Sequence, residues 1–414
     1  MPFQQHEVNN PCAEAPTHAM LFDNEQIHCQ RGCSSTMRWD RRFLMQLDWP
    51  FLAALAGLIG IGLTVIASAA HTMPGGERGF LIRQGAAVAV GIASWLFFAG
   101  FDYQDFARWR RELYVITVLM LVAVMLTGHS ALGAQRWLKL GPLQFQPSEI
   151  AKLLMIICLA SFLADRDRLT DWWDLVLPSL YMLVPILLIL KQPDLGTALV
   201  LMAITVVMLY TAGMPGGRAL LLVGGAIGLV ALWVYAHLHW HVWIPLKDYQ
   251  ITRLIVFLNP AADPTDTGYH VIQSRIAIGS GGGAGRGWYH GTENQLGFLP
   301  EAHTDFIFAV LVEEWGFAGG IATLGLAAFA VTRLLLTSGE VEDRFGRLLV
   351  AGVAGMLLFQ FVENSGMTMG VMPVAGIPLP FVSYGPSAMI TNLAAVGMAL
   401  GVSMRRKGLI FGHS

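Results

Sequence analysis

The sequence predicts an all-α polytopic membrane protein with ten transmembrane helices, and two observations carry that prediction. First, 55% of the 414 residues are hydrophobic and only 13% are charged, whereas a soluble domain carries about 25% charged residues. Second, the apolar residues come in long runs with few charges, and a run of about 18 or more apolar residues is typical of a helix that crosses a membrane. The chain therefore has too few polar side chains to cover a water-facing surface.

Ten apolar runs follow the first 45 residues of the chain. They lie near residues 48–70, 81–100, 113–128, 149–164, 173–190, 197–213, 219–238, 306–333, 348–370 and 387–404. An even number of crossings places both termini on one side, and most of the 26 Lys and Arg residues fall on that same side. Because cytoplasmic segments carry the excess of Lys and Arg, we expect both termini to be cytoplasmic. A large extracytoplasmic loop, residues 239–305, then separates the seventh and eighth helices.

The chain divides into a short tail and one membrane domain. Residues 1–45 show no periodic apolar pattern and are expected to form a disordered cytoplasmic tail, while residues 46–410 form the transmembrane domain. The cysteines and histidines of the tail match no zinc-ligand spacing, so no metal site is predicted there. The tail also lacks the apolar segment of a signal peptide, so we expect no cleavage. An alternative is that translation starts at Met37 or Met45.

Proline, glycine and mixed polar residues collect on the predicted outer side, whereas the inner turns are short and basic. The outer segments are residues 136–147, 191–196, 239–305 and 371–385. A loop longer than about 15 residues is usually functional or disordered. The long loop interleaves apolar and polar residues in "DYQITRLIVFLNP" and "GYHVIQSRIAI", a pattern typical of helices that lie at the membrane interface. Any chemistry is therefore expected on the outer face.

The outer start of the fourth predicted helix carries a carboxylate and an ammonium group. In "QPSEIAKLL", Pro147 suits the first helical position and Glu149 the first turn, where the helix dipole favours an anion. Lys152 follows three residues later on the same face, although a lysine inside a span costs about 2.5–3.5 kcal/mol on insertion scales. Two interpretations stay open: an ion pair that only orients the helix, or a cationic group beside a carboxylate at the mouth of an outward cavity.

The long loop contains a glycine-rich run at residues 279–287. This run is not a phosphate-binding loop, because it lacks the GxxxxGK[ST] pattern and its strand–turn–helix context. It predicts a flexible or close-packed hinge instead. Three arginines of the same loop, Arg253, Arg275 and Arg286, are candidates to meet an anion.

Acidic residues accompany the start of the eighth predicted helix, although charge in hydrocarbon is costly. Either the helix crosses from Asp305 and carries Glu313 and Glu314 into the membrane, or the span is residues 315–332 and residues 305–314 cap a cavity above it. The second placement is favoured because it removes two charges from the hydrocarbon. In both cases Asp305 borders a wet outward pocket, as a helix N-cap or as a catalytic group.

The last outer segment cannot be one continuous helix, because it holds three prolines between residues 373 and 380. Irregular backbone at membrane depth is tolerated only where it lies against protein or lines a wet cavity. Ser383 and Ser387 follow these prolines. They either bind a ligand by hydrogen bonds or cap the last helix.

Four of these stretches together resemble the SEDS family of bacterial cell-wall membrane proteins. The resemblance covers residue 46 to the end, and its motifs, in the family's order and spacing, are "RW...LGP...QPSE..K", "KQPDLGTAL", "FLPEAHTDFIFAV..EE.G" and "GMTMGVMPVAGIPLPFVSYG". Two of them, "PVAGIPLPFVSYG" and "KQPDLGTAL", resemble the elongation members of the family more than its division members. One departure is Pro386, where the family usually has a second Gly after "SYG".

The resemblance implies a peptidoglycan glycosyltransferase with ten transmembrane helices, which polymerises lipid II with inversion. It would act at the outer leaflet of the bacterial cytoplasmic (inner) membrane, during cell elongation and rod-shape maintenance. The expected partner is a class B penicillin-binding protein, which supplies the transpeptidase, and no nucleic-acid partner is expected. No tightly bound cofactor is expected, and a divalent cation, Mg or Mn, stays open.

The resemblance also places roles on individual residues. The family's essential acid falls on Asp305, which we expect to be the catalytic base, and its Glu and Lys at the fourth span fall on Glu149 and Lys152. Lys152 and Arg136 are expected nearest to the leaving diphosphate. The substrate-binding candidates are Arg136, Trp137, Glu149, Lys152, Arg253, His303, Ser383 and Ser387, with no metal ligand among them.

The alternative from another class of function is a lipid II flippase. Ten spans, intramembrane charges and helix breakers would also suit a carrier. A flippase needs polar groups that lead to both faces of the membrane, whereas an outer-leaflet polymerase concentrates them outside. The plain inner turns favour the polymerase. A scaffold without activity is a third interpretation, in which Asp305 and Lys152 would be replaceable.

Overall fold

A computed structural model gives the structure of the chain. It describes residues 47–73, 76–127, 129–131, 134–140, 143–166, 169, 171–241, 248–264 and 266–405. The predicted tail, residues 1–45, and the predicted end of the membrane domain at residue 410 lie outside the described residues.

Helices make up most of the described chain, which confirms the predicted all-α class. They are α1 (Trp49–Ala69), α2 (Gly76–Gly100), α3 (Tyr103–Arg108), α4 (Arg110–Thr127), α5 (Pro147–Ala164), α6 (Trp172–Lys191), α7 (Leu195–Thr211), α8 (Gly216–Trp240), α9 (Asp248–Leu258), α10 (Thr267–Gly281), α11 (Thr292–Gln295), α12 (Ile307–Glu340), α13 (Arg344–Met369) and α14 (Pro386–Arg405), with a 3-10 turn at Pro260–Ala262.

One small sheet departs from the all-α prediction. Strands β1 (His129–Ala131), β2 (Ala134–Leu140) and β3 (Leu143–Phe145) form an antiparallel sheet in the order β1-β2-β3. It lies in the outer segment between α4 and α5, where the sequence predicted only an irregular loop. The strands are short, and neighbouring segments of one loop supply both partners.

Each of the ten predicted apolar runs coincides with a helix. Eight of them, α1, α2, α5, α6, α8, α12, α13 and α14, are long and apolar enough to cross a membrane. The other two are α7, which is apolar but has 17 residues, and α4, whose first turn reads "RRE". The chain is thus a multi-pass membrane protein. The number of ten crossings and the cytoplasmic side of the termini stay predictions.

The centre of the bundle is formed by α5, α13 and α14, whose residues are mostly buried, whereas α8 is almost entirely exposed. α13 packs against α5, α7, α12 and α14. Small residues allow this close approach: a methyl group on Gly352 of α13 would lie 2.8 Å from Ile156 Cγ2 and 2.9 Å from Met208 Sδ. Small residues at such contacts are typical of membrane helix packing, in which close approach of the backbones supplies the attraction.

Arginine side chains link helix termini at the end of the bundle that contains the C-termini of α2 and α14. Arg405 Nη2 donates to Gly100 O at 2.8 Å, so the last turn of α14 supplies a hydrogen bond to the C-terminus of α2. At the same end, Arg110 Nη1 lies 2.6 Å from Asp165 Oδ2, between the start of α4 and the end of α5. Cations at this end agree with its predicted cytoplasmic placement.

α12 is broken at Gly316, whose φ of 71° and ψ of −172° are not helical. The glycine-rich run fills the break: Phe317 N donates to Gly282 O at 2.8 Å, and Ala318 N donates to Gly283 O at 3.2 Å. These contacts pair backbone groups that the break removes from the helical ladder. The run is therefore a close-packed segment, one of the two interpretations that the sequence allowed.

The two adjacent acids of α12 lie just before this break and face protein. Ser68 Oγ at the end of α1 donates a short hydrogen bond to Glu314 Oε1. Glu293 N of α11 donates to Glu313 Oε1 at 2.9 Å. Both acids are essentially fully buried. Protein donors and not lipid surround these carboxylates, which agrees with the placement of residues 305–314 above the span.

We expect Gly316→Ala to lower the free energy of unfolding by about 1–3 kcal/mol, because a side chain is strained at positive φ. The added methyl group would also lie 2.3 Å from Gly285 N. The measurement is the thermal midpoint of the detergent-purified protein. Gly325→Ala is the matched control, since Gly325 lies in the same helix with nothing within 4 Å. Equal midpoints for the two variants would show that the break does not depend on glycine.

Candidate active site

Asn364 joins the two irregular outer segments to the central helix α13. Its Nδ2 donates to Asp305 O at 2.8 Å and to Ile377 O at 2.7 Å. Asn364 is fully buried, so neither carbonyl needs water. The residue before α12 and the proline-rich segment after α13 are thereby held at one place.

Ser383 reinforces this junction. Its hydroxyl donates to Thr304 O at 2.7 Å and accepts from Leu379 N at 2.8 Å. Its backbone carbonyl accepts from Gln84 Nε2 of α2 at 3.2 Å. The predicted substrate-binding hydroxyl of Ser383 is therefore used within the protein, where it holds the backbone next to Asp305.

Ser387 and its neighbour begin the last helix. Pro386 is the first residue of α14, and Ser387 is buried in its first turn. Proline suits the first helical position, because a backbone N–H at that position would have no intrahelical partner. The departure from the family's second glycine is accommodated at this helix start.

Asp305 stands at the open side of the junction. Its side chain is half-buried, and its Oδ2 lies close to Gly376, where a methyl group would come within 3.1 Å. Gly376 has a φ of 70°, which glycine adopts without strain. The N-cap of α12 is Phe306 and not Asp305. The N-cap interpretation of Asp305 is therefore wrong, and its carboxylate faces the proline-rich segment.

Arg253 and Glu363 bring further charge to this place. Arg253, on α9, donates from Nη1 to Ala375 O at 3.4 Å. Glu363 of α13 is 1% exposed and directly precedes Asn364, whose amide holds the backbone of Asp305. Sequence reasoning missed Glu363, although an acid inside an apolar run is a signal of function.

The motif around Glu149 and Lys152 forms a buried ion pair. Lys152 Nζ lies 2.8 Å from Glu149 Oε1, with side-chain exposures of 1% and 4%. Glu149 Oε2 is buried and has no hydrogen-bond partner among the described residues. The pairing predicted from the i, i+3 spacing is therefore present. Its burial means that Lys152 does not open onto a solvent-filled cavity in this structure.

Asp194 of the "KQPD" motif ties this ion pair to the rest of the site. Its Oδ2 accepts from Ser148 Oγ at 3.0 Å, from Gln146 Nε2 at 3.2 Å and from Thr197 Oγ1 at 3.0 Å. Asp194 is the buried N-cap of α7. Sequence reasoning quoted its motif without assigning the residue a role, and its position before an apolar run was the signal for a cap.

The start of α7 also touches the proline-rich segment. A methyl group on Gly196 would lie 2.7 Å from Ala375 O. The four motif stretches of the sequence therefore meet at one end of the bundle: the starts of α5, α7 and α12, with the segment that follows α13.

Other predicted residues lie outside this junction or outside the described side chains. Arg136 and Trp137 belong to β2, but their side chains are outside the described residues. Arg286 donates to Ser280 O and Thr292 Oγ1 in its own loop. Among the residues that the structure describes, no group of three or more His, Cys, Asp and Glu is placed to hold a metal ion.

His303 packs between aromatic rings two residues before Asp305. Its ring lies edge-on to Phe80 at 5.0 Å and 5.5 Å from the ring of Tyr384. Burial lowers the pKa of His303 from its ordinary value, although Glu301 acts in the opposite direction. The packing of the ring between Phe80 and Tyr384 indicates a structural role, and the contact of His303 with substrate stays a prediction.

The family of the chain follows from its match to a family model. Residues 48–408 match the model of the FtsW, RodA and SpoVE cell cycle proteins. The chain belongs to this family, the SEDS family. The matched range covers every described helix and each motif that meets at the junction.

Curated relatives of this SEDS protein match along nearly their whole length. The peptidoglycan glycosyltransferase MrdB of Escherichia coli (strain K12) is 38% identical over 372 residues, which cover 90% of this chain and 96% of the relative. The peptidoglycan glycosyltransferase RodA of Treponema pallidum (strain Nichols) is 32% identical over 430 residues, with 88% and 99% covered. Both relatives are named peptidoglycan glycosyltransferases, one of them RodA.

Solved structures of the same family share the fold. One is a chain from a peptidoglycan synthase complex that is described as coordinating polymerization and crosslinking. It is 34% identical to this chain with a TM-score of 0.73, and the match covers 87% of this chain and 98% of the solved chain. The crystal structure of Thermus thermophilus RodA is 31% identical with a TM-score of 0.64, covering 87% and 97%.

The lowered pKa of His303 predicts how stability depends on pH. Because the folded pKa lies below the unfolded one, the unfolded state binds more protons in that window, and stability falls as pH drops below about 6.5. We expect His303→Gln to flatten this part of the curve of thermal midpoint against pH. His239→Gln is the control, since His239 is exposed on α8. A curve for His303→Gln as steep as that of the control would disprove the assignment.

Proposed function

We propose that this SEDS protein is a peptidoglycan glycosyltransferase that joins lipid II units into glycan strands during cell elongation. The observation that carries the proposal is the half-buried carboxylate of Asp305, held at the junction of the four motif stretches. Curated relatives that cover about nine tenths of the chain bear the glycosyltransferase name. The flippase alternative is not favoured by these relatives.

The reaction needs one base and help for an anionic leaving group. The 4-hydroxyl of the acceptor sugar attacks the anomeric carbon of the donor; the new C–O bond forms as the bond to the diphosphate breaks, with inversion. The hydroxyl proton passes to a base, and the polyprenyl diphosphate leaves as an anion. Glycoside hydrolysis uses a carboxylate pair, but a diphosphate leaves without protonation and so needs no general acid.

Asp305 is suited to be that base. A general base must reach the proton that it takes, and Asp305 is the half-exposed carboxylate of the junction while Glu363 lies buried behind it. Asn364 holds the backbone carbonyl of Asp305, and the missing side chain of Gly376 leaves room for the Asp305 carboxylate. Asp305 thus combines a backbone held by a hydrogen bond with a partly exposed carboxylate, and proton transfer from a bound hydroxyl requires both.

Three cations are proposed to stabilise the leaving diphosphate. Arg253 lies on α9 and donates to Ala375 O, the residue before Gly376, against which the Asp305 carboxylate lies. Lys152 is buried against Glu149, so we assign it an effect through its charge in a medium of low dielectric instead of the direct contact expected from the sequence. Arg136 keeps its predicted role as a third cation.

The same relatives support a proposal for the partner and the location. A structural neighbour is a peptidoglycan synthase complex described as coordinating polymerization and crosslinking. We propose that this chain likewise works with a class B penicillin-binding protein in the bacterial cytoplasmic membrane, with its active site on the extracytoplasmic side. Its described residues offer no three-ligand metal cage. We propose that a divalent cation, Mg or Mn, where the reaction uses one, is carried by the substrate diphosphate.

We expect Asp305→Asn to reduce polymerisation of labelled lipid II by at least about 100-fold, because the amide cannot accept the hydroxyl proton. The assay uses purified protein with a divalent cation, with and without the penicillin-binding partner, and resolves products on a gel. Asp266→Asn is the matched control, since Asp266 is exposed in the same outer loop. Glycan ladders from folded Asp305→Asn at the wild-type rate would remove Asp305 from the mechanism.

The buried ion pair allows structure and function to be separated. Lys152→Met leaves the carboxylate of Glu149 buried without its partner, which lowers the free energy of unfolding by about 3–5 kcal/mol and lowers the thermal midpoint. The double variant Glu149→Gln/Lys152→Met removes both charges and should restore most of the thermal midpoint. We expect the double variant to polymerise lipid II poorly, since the cation of Lys152 is absent. Lys191→Met, exposed at the end of α6, controls for loss of a lysine. Wild-type activity in the double variant would reduce the pair to an orienting role.

A further inference from the structure

Gln84 is a buried amide in α2, a helix that is mostly exposed at the side of the bundle. The side chain of Gln84 is fully buried. The other buried residues of α2 are Ala87, Gly91 and Ala99, which have little or no side chain. Burial of an amide is costly unless both of its ends find hydrogen-bond partners. The position of Gln84 therefore depends on what its amide binds.

Both ends of the Gln84 amide bind one turn of the outer segment that follows α13. Its Nε2 donates to Ser383 O at 3.2 Å, and its Oε1 accepts from Gly385 N at 3.2 Å. This turn, residues 383–385, lies directly before α14 and outside any helix. A single side chain of α2 thus satisfies a carbonyl and an N–H group of the 383–385 turn.

The 383–385 turn holds the backbone that leads to Asp305. Tyr384 N donates to His303 O at 2.9 Å, and Ser383 Oγ donates to Thr304 O at 2.7 Å. The next carbonyl, that of Asp305, is held by the amide from α13. Three consecutive carbonyls are therefore bound just before α12, two of them by the turn that Gln84 grips.

An aromatic ring of α2 contacts the same two segments. Phe80 lies four residues before Gln84, and its ring is edge-on at 5.0 Å to the rings of His303 and Tyr384. Residues four apart in a helix are neighbours on its surface. One face of α2 therefore contacts both the 383–385 turn and the segment before Asp305.

We propose that Gln84 is a positioning residue for the reaction, which holds the 383–385 turn and, through it, the backbone that places the Asp305 carboxylate. Gln84 does not touch substrate, because it is buried and both ends of its amide are occupied. Without it, Ser383 O and Gly385 N lose a buried partner, which favours a shift of the turn toward other partners. A displacement of about 1 Å at a reacting group can lower a rate about 100-fold. The inference rests on the proposed role of Asp305.

The test is the rate of lipid II polymerisation by the full-length protein with its penicillin-binding partner. Rates are measured over a range of lipid II concentrations, at a temperature where each variant is folded. Gln84→Met removes both hydrogen bonds and keeps the length of the side chain. We expect kcat to fall by about 10- to 100-fold while KM changes less than about twofold, because a displaced base weakens stabilisation of the transition state and not the binding of lipid II.

The conservative variant Gln84→Glu should restore most of the wild-type kcat. Burial favours the protonated form of a carboxyl group, and this form offers one donor and one acceptor at the same length as the amide. It can therefore bind Ser383 O and Gly385 N as Gln84 does. A kcat for Gln84→Glu no higher than that of Gln84→Met would contradict the inference.

Gly91→Ala is the matched control for damage to α2. Gly91 lies about 10 Å further along the same helix, where a methyl group would crowd Leu393 of α14. We expect this variant to lower the thermal midpoint and to leave the kcat of the folded protein close to that of the wild type. An equal fall of kcat in Gly91→Ala and Gln84→Met would show a general effect of helix damage and would reject the inference.

Failure of the proposed function gives a different result. Absence of polymerisation by the wild type, or wild-type rates from Asp305→Asn, would overturn the proposed function. An unchanged kcat in folded Gln84→Met, with polymerisation that still depends on Asp305, would overturn this inference alone. If Gln84→Met does not fold, Gln84→Asn decides, because its amide is one methylene shorter and cannot span both groups. A kcat below that of Gly91→Ala then supports the inference, and any other result rejects it.

Discussion

The side-chain amide of Asn364 is the interaction on which the arrangement of the site depends. It sits on the central helix α13 and binds the carbonyls of Asp305 and Ile377. A buried carbonyl without a partner is costly where no water is present, so both irregular segments are drawn to this single amide. Ser383 and Gly376 add contacts at the same junction: Ser383 bonds to Thr304 O and Leu379 N, and Gly376 lies against the Asp305 carboxylate.

A second constraint is the cost of charge in hydrocarbon. Glu149, Lys152 and Glu363 lie in membrane helices, and Glu313 and Glu314 lie directly before the break in α12; each of the five side chains is nearly fully buried within protein. They occupy one end of the bundle, where a short sheet, a broken helix and a proline-rich segment supply donors and countercharges. The opposite end is held mainly by arginines that bind helix C-termini and a carboxylate. The two ends of the molecule thus differ in chemistry because the bilayer leaves polar groups only protein partners.

Several parts of the fold and site were predictable because they are local. Apolar runs predicted the helices. Pro147 and Pro386 are the first residues of their helices, a position at which a residue without an N–H group is favoured. The Glu149–Lys152 pair followed from spacing on one helix face. Other parts were not predictable. The hydrogen bond from Asn364 to Asp305 O joins residues that are 59 positions apart, so no local pattern indicates it.

The sequence by itself determined the membrane class, the helices, the family and the acid expected to act as base. Each of these depends on composition, on periodicity within one helix or on a contiguous motif. Only the tertiary structure decided that Asp305 is not a helix cap, that the Ser383 hydroxyl serves the backbone and that Lys152 is sealed from solvent. These properties depend on contacts between segments far apart in the chain, and such contacts are set by the packing of α13 against its neighbours.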